Sequence, residues 1–209
     1  MTAARFLVSG KVQRAALFQN DVKNLQSGFM SFTSGGAVNL ENAGKARIRG
    51  GEIDITARPL RGLTLNAAVG YSDAKLTEDQ ANSSVLITAS TGKKGDRIPG
   101  TPPWTASASG TYNWALGGGL NGMVRADYTY TGEMQAAFRP TDPYFTTYGD
   151  YSMVNLRTGV EGDRWGAYLF VQNVGNVAGV TGRNSGFGYS NLTFATMPRT
   201  VGLNVRFGL

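Results

Sequence analysis

Along this chain apolar and polar residues alternate, one for one, over stretches of about 9–14 residues. A period of two predicts β-strands with one apolar and one polar face. Residues 45–58 set Ile53, Ile55 and Ala57 opposite Glu52, Asp54, Thr56 and Arg58. Residues 63–76 set Leu63, Leu65, Ala67, Val69 and Tyr71 opposite Thr64, Asn66, Ala68, Gly70 and Ser72. In 104–114, Trp104, Ala106, Ala108, Tyr112 and Trp114 oppose Thr105, Ser107, Ser109, Thr111 and Asn113. In 120–131, Val124, Ala126, Tyr128 and Tyr130 oppose Asn121, Arg125, Asp127 and Thr129. Residues 151–161 carry Val154, Leu156 and Val160 against Asn155, Arg157 and Glu161. Residues 165–172 are apolar on both faces, with Trp165, Ala167, Leu169 and Val171 on one and Tyr168 and Phe170 on the other. The last stretch, about 193–207, ends with Val201, Leu203, Val205 and Phe207 facing away from Gly202, Asn204 and Arg206. A first strand over about 11–26 is centred on Ala15-Ala16-Leu17-Phe18, and its alternation is too irregular to set its facing. The pattern predicts an all-β chain of about eight strands.

The connectors fall into two classes. Pro59-Leu60-Arg61-Gly62, 115–119 and Gly162-Asp163-Arg164 are tight and rich in turn residues, whereas 77–103, 133–150 and 173–190 are long and polar. In an up-and-down meander this places every long loop at one end of the sheet. An antiparallel transmembrane β-barrel of the outer membrane has that asymmetry, with short periplasmic turns and long external loops. Ten residues at ~3.3 Å each, tilted near 40°, cover about 25 Å, the height of the apolar band of such a barrel. Tyr71, Trp104, Tyr112, Trp114, Tyr128, Tyr130, Tyr151, Trp165 and Phe207 stand where the band would end, as amphipathic rings do at a membrane boundary.

Composition narrows the chemistry. Hydrophobic residues make up 41% of the chain, yet no run approaches the ~18 apolar residues of a membrane helix. Glycine, 29 of 209 residues, is at about twice its usual ~7%. His and Cys are both absent, which removes Ser-His-Asp and Cys-His catalysis and the usual zinc ligands. We therefore expect no enzyme activity, no catalytic residues, no metal site and no cofactor. The net charge of +6 comes from scattered Lys and Arg, and the Lys93-Lys94 doublet reads as a solvated loop rather than a nucleic-acid patch. Glu78-Asp79 are adjacent loop carboxylates that could meet a cation, but two neighbours do not make a Ca²⁺ loop. Glu52, Asp54, Arg58, Arg125, Asp127, Arg157, Glu161 and Arg206 lie on polar faces, where we expect them to pair across strands or with an inserted domain.

The run from Asn42 through Ile53, Pro59-Leu60-Arg61-Gly62 and Gly70-Tyr71-Ser72-Asp73-Ala74 resembles the C-terminal barrel of TonB-dependent outer-membrane receptors. Gly95-Asp96-Arg97-Ile98-Pro99-Gly100, Val171-Gln172-Asn173-Val174-Gly175-Asn176 and the terminal Pro198 to Phe207 are similar to further motifs of that family. The resemblance covers about residues 17–207. It implies a wall segment of a barrel of about 22 strands, in a receptor for active uptake of a scarce nutrient such as a ferric siderophore, cobalamin or a carbohydrate. The implied partners are outer-membrane lipid and lipopolysaccharide, with a plug domain and TonB only in an intact receptor, and no nucleic acid. The implied location is the outer membrane of a Gram-negative bacterium. We expect residues 1–209 to form a single barrel segment without a plug, unable to transport alone. Met1 to Gly10 reads as too short an apolar run for a signal peptide. The family's final aromatic corresponds to Phe207, and no ligand-binding residue carries over. Two other readings remain open at this point: a self-contained eight-stranded barrel with a structural or interaction role, and a soluble calycin-like binder.

Overall fold

The computed structural model describes residues 2–8, 11–31, 37–42, 44–80, 92–141, 145–186 and 189–208. In chain order the strands are β1 (Thr2–Val8), β2 (Lys11–Val22), β3 (Gln26–Ser31), β4 (Ala37–Asn42), β5 (Ala46–Leu60), β6 (Leu63–Leu76) and β7 (Trp104–Gly117). They continue with β8 (Leu120–Thr131), β9 (Met134–Gln135), β10 (Thr147–Tyr148), β11 (Tyr151–Glu161), β12 (Trp165–Gln172), β13 (Val180–Gly186), β14 (Tyr189–Ala195) and β15 (Thr200–Phe207). Nine of these form one antiparallel sheet in the order β1-β2-β5-β6-β7-β8-β11-β12-β15. The remaining six pair as hairpins β3–β4, β9–β10 and β13–β14, all inside long connectors at one end of the sheet.

This corrects the expected count. Thr2–Val8 is a strand, paired with β2 from Thr2↔Leu17 to Val8↔Lys11, so the sheet has nine strands. The last wall strand also begins later than expected, at Thr200, because Thr193–Ala195 belongs to the hairpin strand β14. Among the described residues β1 pairs only with β2 and β15 only with β12. The sheet is therefore open, which opposes closure of this chain into an eight-stranded barrel.

Register makes the alternating faces continuous. Opposite residues of an antiparallel pair point the same way, and the rows Ile53↔Val69↔Ala106, Ile55↔Ala67↔Ala108↔Tyr128↔Val154 and Leu169↔Leu203 run across the sheet on one side. The irregular strand β2 is assigned by the same logic: Ala15↔Ile53 and Leu17↔Gly51 turn Ala15 and Leu17 to the apolar face. That face is uncovered. Leu169, Leu203 and Val201 are 59%, 63% and 67% exposed, and each such side chain left in water forgoes about 1.5–3 kcal/mol. A lipid phase removes that cost, and a soluble binding barrel would not present this surface.

The short turns follow from glycine. Gly62 has φ +81°, and a Cβ there would fall 2.0 Å from the Asn113 carbonyl oxygen. Gly117, Gly118 and Gly119 all have positive φ, where the register shifts between Ala115 and Gly117. The glycine excess has a second cause, cross-strand seats for large rings. Trp114 lies over Gly122, Phe170 over Gly202, Phe18 over Gly50 and Tyr168 over Gly159, and in each case a Cβ would come within 2.5 Å of the ring.

Aromatic residues cap the apolar face at both ends. Tyr71 and Trp104 meet at 4.7 Å near the long loops, while Tyr112 and Trp114 stack at 5.6 Å near the short turns, where Trp165 also pairs with Phe207. Tyr151 departs from the expected girdle. Its register partner Thr131 lies on the polar face, and its ring closes over Gly179.

Candidate functional site

The polar face and the loops at its long-connector end hold the ionisable side chains, in two layers. Deep on the face, towards the short turns, lies a group built on β11, β12 and β15. Tyr168 is almost fully buried there, beneath the guanidinium of Arg157 at 3.9 Å and that of Arg206 at 5.6 Å from its ring centre. Its hydroxyl donates to the Glu161 carboxylate, which also accepts from Arg206 Nη2 at 2.9 Å. Room for the ring exists because Gly159 stands opposite it on β11 and Gly166 precedes it by two residues on its own strand. Beside this group Arg125 Nη2 donates to Asp127 at 2.6 Å and Nη1 to Thr111 at 3.3 Å. A further chain of neutral groups runs from Thr56 to Asn66 at 2.9 Å and from Asn66 to Ser109 at 3.3 Å.

The expected pairing across strands is met at Arg206–Glu161, whereas Arg125 pairs with Asp127 along its own strand and Arg157 finds a ring instead of a carboxylate. Glu52, Asp54 and Arg58 form no ion pair among the described residues. Sequence reasoning marked Tyr168 only as an apolar residue on a polar face. The signal for its role was the set of small residues, Gly159, Gly166 and Gly202, facing Tyr168 and Phe170.

At the long-loop end the connectors fold onto the polar-face side of the sheet. Ala46, Ala74, Leu76 and Met134 are buried there, and Gly92 and Phe138 pack on Leu76. Arg139 Nε donates to Asp96 at 2.6 Å and the Gly100 N–H to the Gln135 carbonyl at 2.9 Å, so the 77–103 and 132–150 connectors are cross-linked. Burial pushes Asp96 upward, but the Arg139 hydrogen bond and the Lys93 N–H outweigh it and hold the carboxyl below its ordinary value. Asp79 is held low by the Lys94 N–H and the Lys93 ammonium. The cation that Glu78 and Asp79 meet is thus lysine: Lys45 at 2.8 Å for Glu78 and Lys93 at 3.1 Å for Asp79. The Lys93-Lys94 doublet holds Asp79, Lys93 through its ammonium and Lys94 through its backbone N–H. Among the described residues no group of carboxylates could hold a metal ion.

Behind the mouth, Asn173 (φ +51°) is buried and ties three segments together. Its amide donates to the Val177 and Met197 carbonyls at 2.9 Å each, its Oδ1 accepts from the Val177 N–H, and its own N–H reaches Asn155 at 2.8 Å. This fixes the base of the β12–β15 connector on the wall.

An open antiparallel sheet with an uncovered apolar face, two aromatic girdles and all its long loops at one end is a section of a membrane-spanning β-barrel wall. A family model for the TonB-dependent receptor-like β-barrel matches residues 6–174, and the chain belongs to that family. TonB-dependent receptors are transporters, not enzymes. The fold is similar to the ferric yersiniabactin uptake receptor FyuA from Yersinia pestis, with a TM-score of 0.73, 22% identity, and coverage of 97% of this chain and 28% of that one. It is similar to the siderophore receptor PiuA from Acinetobacter baumannii, with a TM-score of 0.67, 16% identity, and coverage of 98% and 27%. It is also similar to the copper transporter OprC, with a TM-score of 0.67, 18% identity, and coverage of 99% and 30%. The chain spans less than a third of the length of these structures.

Proposed function

We infer that this chain supplies part of the wall and external loops of a TonB-dependent transporter in the outer membrane of a Gram-negative bacterium. The transporter imports a scarce nutrient, with a ferric siderophore as the first candidate and cobalamin, a carbohydrate or copper as alternatives. The carrying observation is that all four connectors longer than a tight turn leave the same end of a nine-stranded wall. Their inward-folded, cross-linked base is the part of the chain a ligand arriving from outside would meet. The polar face would line the lumen, where Glu52, Asp54 and Arg58 are available to a plug domain, and TonB would act on that plug. Uptake is tested in the source bacterium by replacing the gene with a copy lacking residues 92–141. Growth under iron limitation and accumulation of labelled ferric siderophores are then measured, with cobalamin, carbohydrate and copper as parallel arms. Loss of uptake of one nutrient class supports the reading. Unchanged uptake in every arm, or recovery of the chain in the soluble fraction, refutes it.

A further inference from the structure

In its short-turn half the polar face carries more positive charge than it neutralises. By register Arg125 on β8 stands directly opposite Arg157 on β11, and Phe170 of β12 flanks Arg157 on its other side. Like charges placed directly opposite each other destabilise a sheet, so this pair calls for a compensating anion. Asp127 does not serve both. Arg125 occupies that carboxylate through Nε at 2.9 and 3.0 Å and through Nη2 at 2.6 Å. Glu161, the other carboxylate of this region, is taken by the Tyr168 hydroxyl and by Arg206 Nη2 at 2.9 Å. Three guanidinium groups thus share two carboxylates, and Arg157 forms no ion pair among the described residues. Thr64 and Thr111, the next members of the row that holds Arg125 and Arg157, are uncharged.

The unpaired cation is also fixed in place. Arg157 and Arg206 both lie over Tyr168, at 3.9 and 5.6 Å from its ring centre, and that ring is almost fully buried in the space left by Gly159. Stacking occupies the flat face of the Arg157 guanidinium and leaves its edge, a planar fork of N–H donors that matches a carboxylate. Arg125 stands on one side of this fork and Arg206 reaches the same ring from β15. All three side chains rise from strands, whose backbone is held by the ladders on both sides, so the cations are preorganised. A single carboxylate meets one fork here, whereas a small molecule with several carboxylates spans two or three.

We propose that Arg125, Arg157 and Arg206 form a binding station for polycarboxylate solutes in the short-turn half of the lumen, with Arg157 as the principal contact and Tyr168 as the residue that positions it. The station names a substrate class for the transporter and rests on the reading of the polar face as the lumen wall. The full chain is prepared in detergent micelles, with circular dichroism verifying β-structure in each variant, and binding is measured by titration calorimetry at constant ionic strength. The probes are citrate, acetate and a triglutamate peptide. Citrate is expected to bind at one site per chain, about tenfold or more tighter than acetate. Arg157→Gln is expected to weaken citrate about tenfold or more, and Arg157→Lys, which keeps the charge but loses the fork, to weaken it less. Arg49→Gln removes an equal charge from the opposite side of β5 and leaves citrate binding unchanged. Equal binding of citrate and acetate, citrate binding that survives Arg157→Gln, or an equal loss in Arg49→Gln overturns the station. Tighter binding of triglutamate than of citrate assigns the cations to a polypeptide carboxylate and overturns the solute class. All of these outcomes leave the membrane reading standing, which falls separately if the chain stays soluble and monomeric without detergent.

Discussion

Ser107 and Ala108 are adjacent on β7 and point to opposite sides of the wall, which allows one charge to be placed on either face without moving along the strand. Ala108 sits in the row Ile55↔Ala67↔Ala108↔Tyr128 of the apolar face, whereas Ser107 opposes Ala68 and Thr129 on the polar face. The apolar band on this strand runs from Trp104 to Trp114, and at ~3.3 Å per residue and a tilt near 40° Ala108 lies about 10 Å below Trp104. That is within a few Å of the midplane of a band about 25 Å high. An Arg there costs about 2–4 kcal/mol, or about 30- to 900-fold in the folding equilibrium. In Ser107→Arg the new guanidinium faces the same side as Asp54, which has no ion-pair partner among the described residues, and the expected change stays within about 0.5 kcal/mol. Ala108→Leu controls for size, since the site lies on the uncovered apolar face rather than in a packed core. Urea unfolding of the three variants in phosphatidylcholine vesicles, followed by tryptophan fluorescence, measures all three costs on the same background. If Ser107→Arg costs as much as Ala108→Arg, or Ala108→Arg costs under 1 kcal/mol, the assignment of the lipid face is wrong.

Other consequences are equally direct. Gly62→Ala forces a Cβ onto a positive-φ residue and against the Asn113 carbonyl, and is expected to lower stability in the same assay by about 1–3 kcal/mol, the cost of a side chain held in a sparsely populated backbone region. Gly122→Val drives Trp114 from its seat; the expected readout is a red-shifted tryptophan emission without loss of β-sheet signal, and an unchanged spectrum would deny the ring-on-glycine packing. Tyr168→Phe removes a hydrogen bond to the Glu161 carboxylate and should cost about 1.5–3 kcal/mol, while Arg157→Gln on the same ring costs less. The Asp96 carboxyl is lowered in the folded state, so its link to Arg139 contributes above the ordinary carboxylate pKa of about 4 and is lost as pH falls through the depressed value. Protease cleavage within 92–101 should therefore rise at acid pH, and in Asp96→Asn it should be fast and independent of pH across that window.

Much of the wall was legible from the chain alone, because each signal involved is local. Alternation with period two states which side chains share a face before any partner is known, and the face assignments of β5 to β8, β11, β12 and β15 agree with the observed rows. The Gly62 and 117–119 turns were likewise written into residues that tolerate positive φ. The missed strand Thr2–Val8 is of a different kind, since a seven-residue stretch becomes a strand only by pairing with β2. Tyr151 was placed in the girdle by residue type, and its partner Thr131 turns it to the other side.

What only the tertiary structure decided depends on register, which brings together residues far apart in sequence and has no local signature. Leu17 lies on the apolar face because it stands opposite Gly51, and the Arg139–Asp96 link exists because two connectors fold over the same mouth. Tyr168 is buried because Gly159 stands opposite it on the neighbouring strand β11. The same register leaves β1 and β15 without outer partners among the described residues, so the alternation that announced a barrel is realised as an open wall. Sequence periodicity sets the two faces of each strand; pairing across the sheet sets what stands next to what, and the loop cross-links and buried ring follow from that pairing.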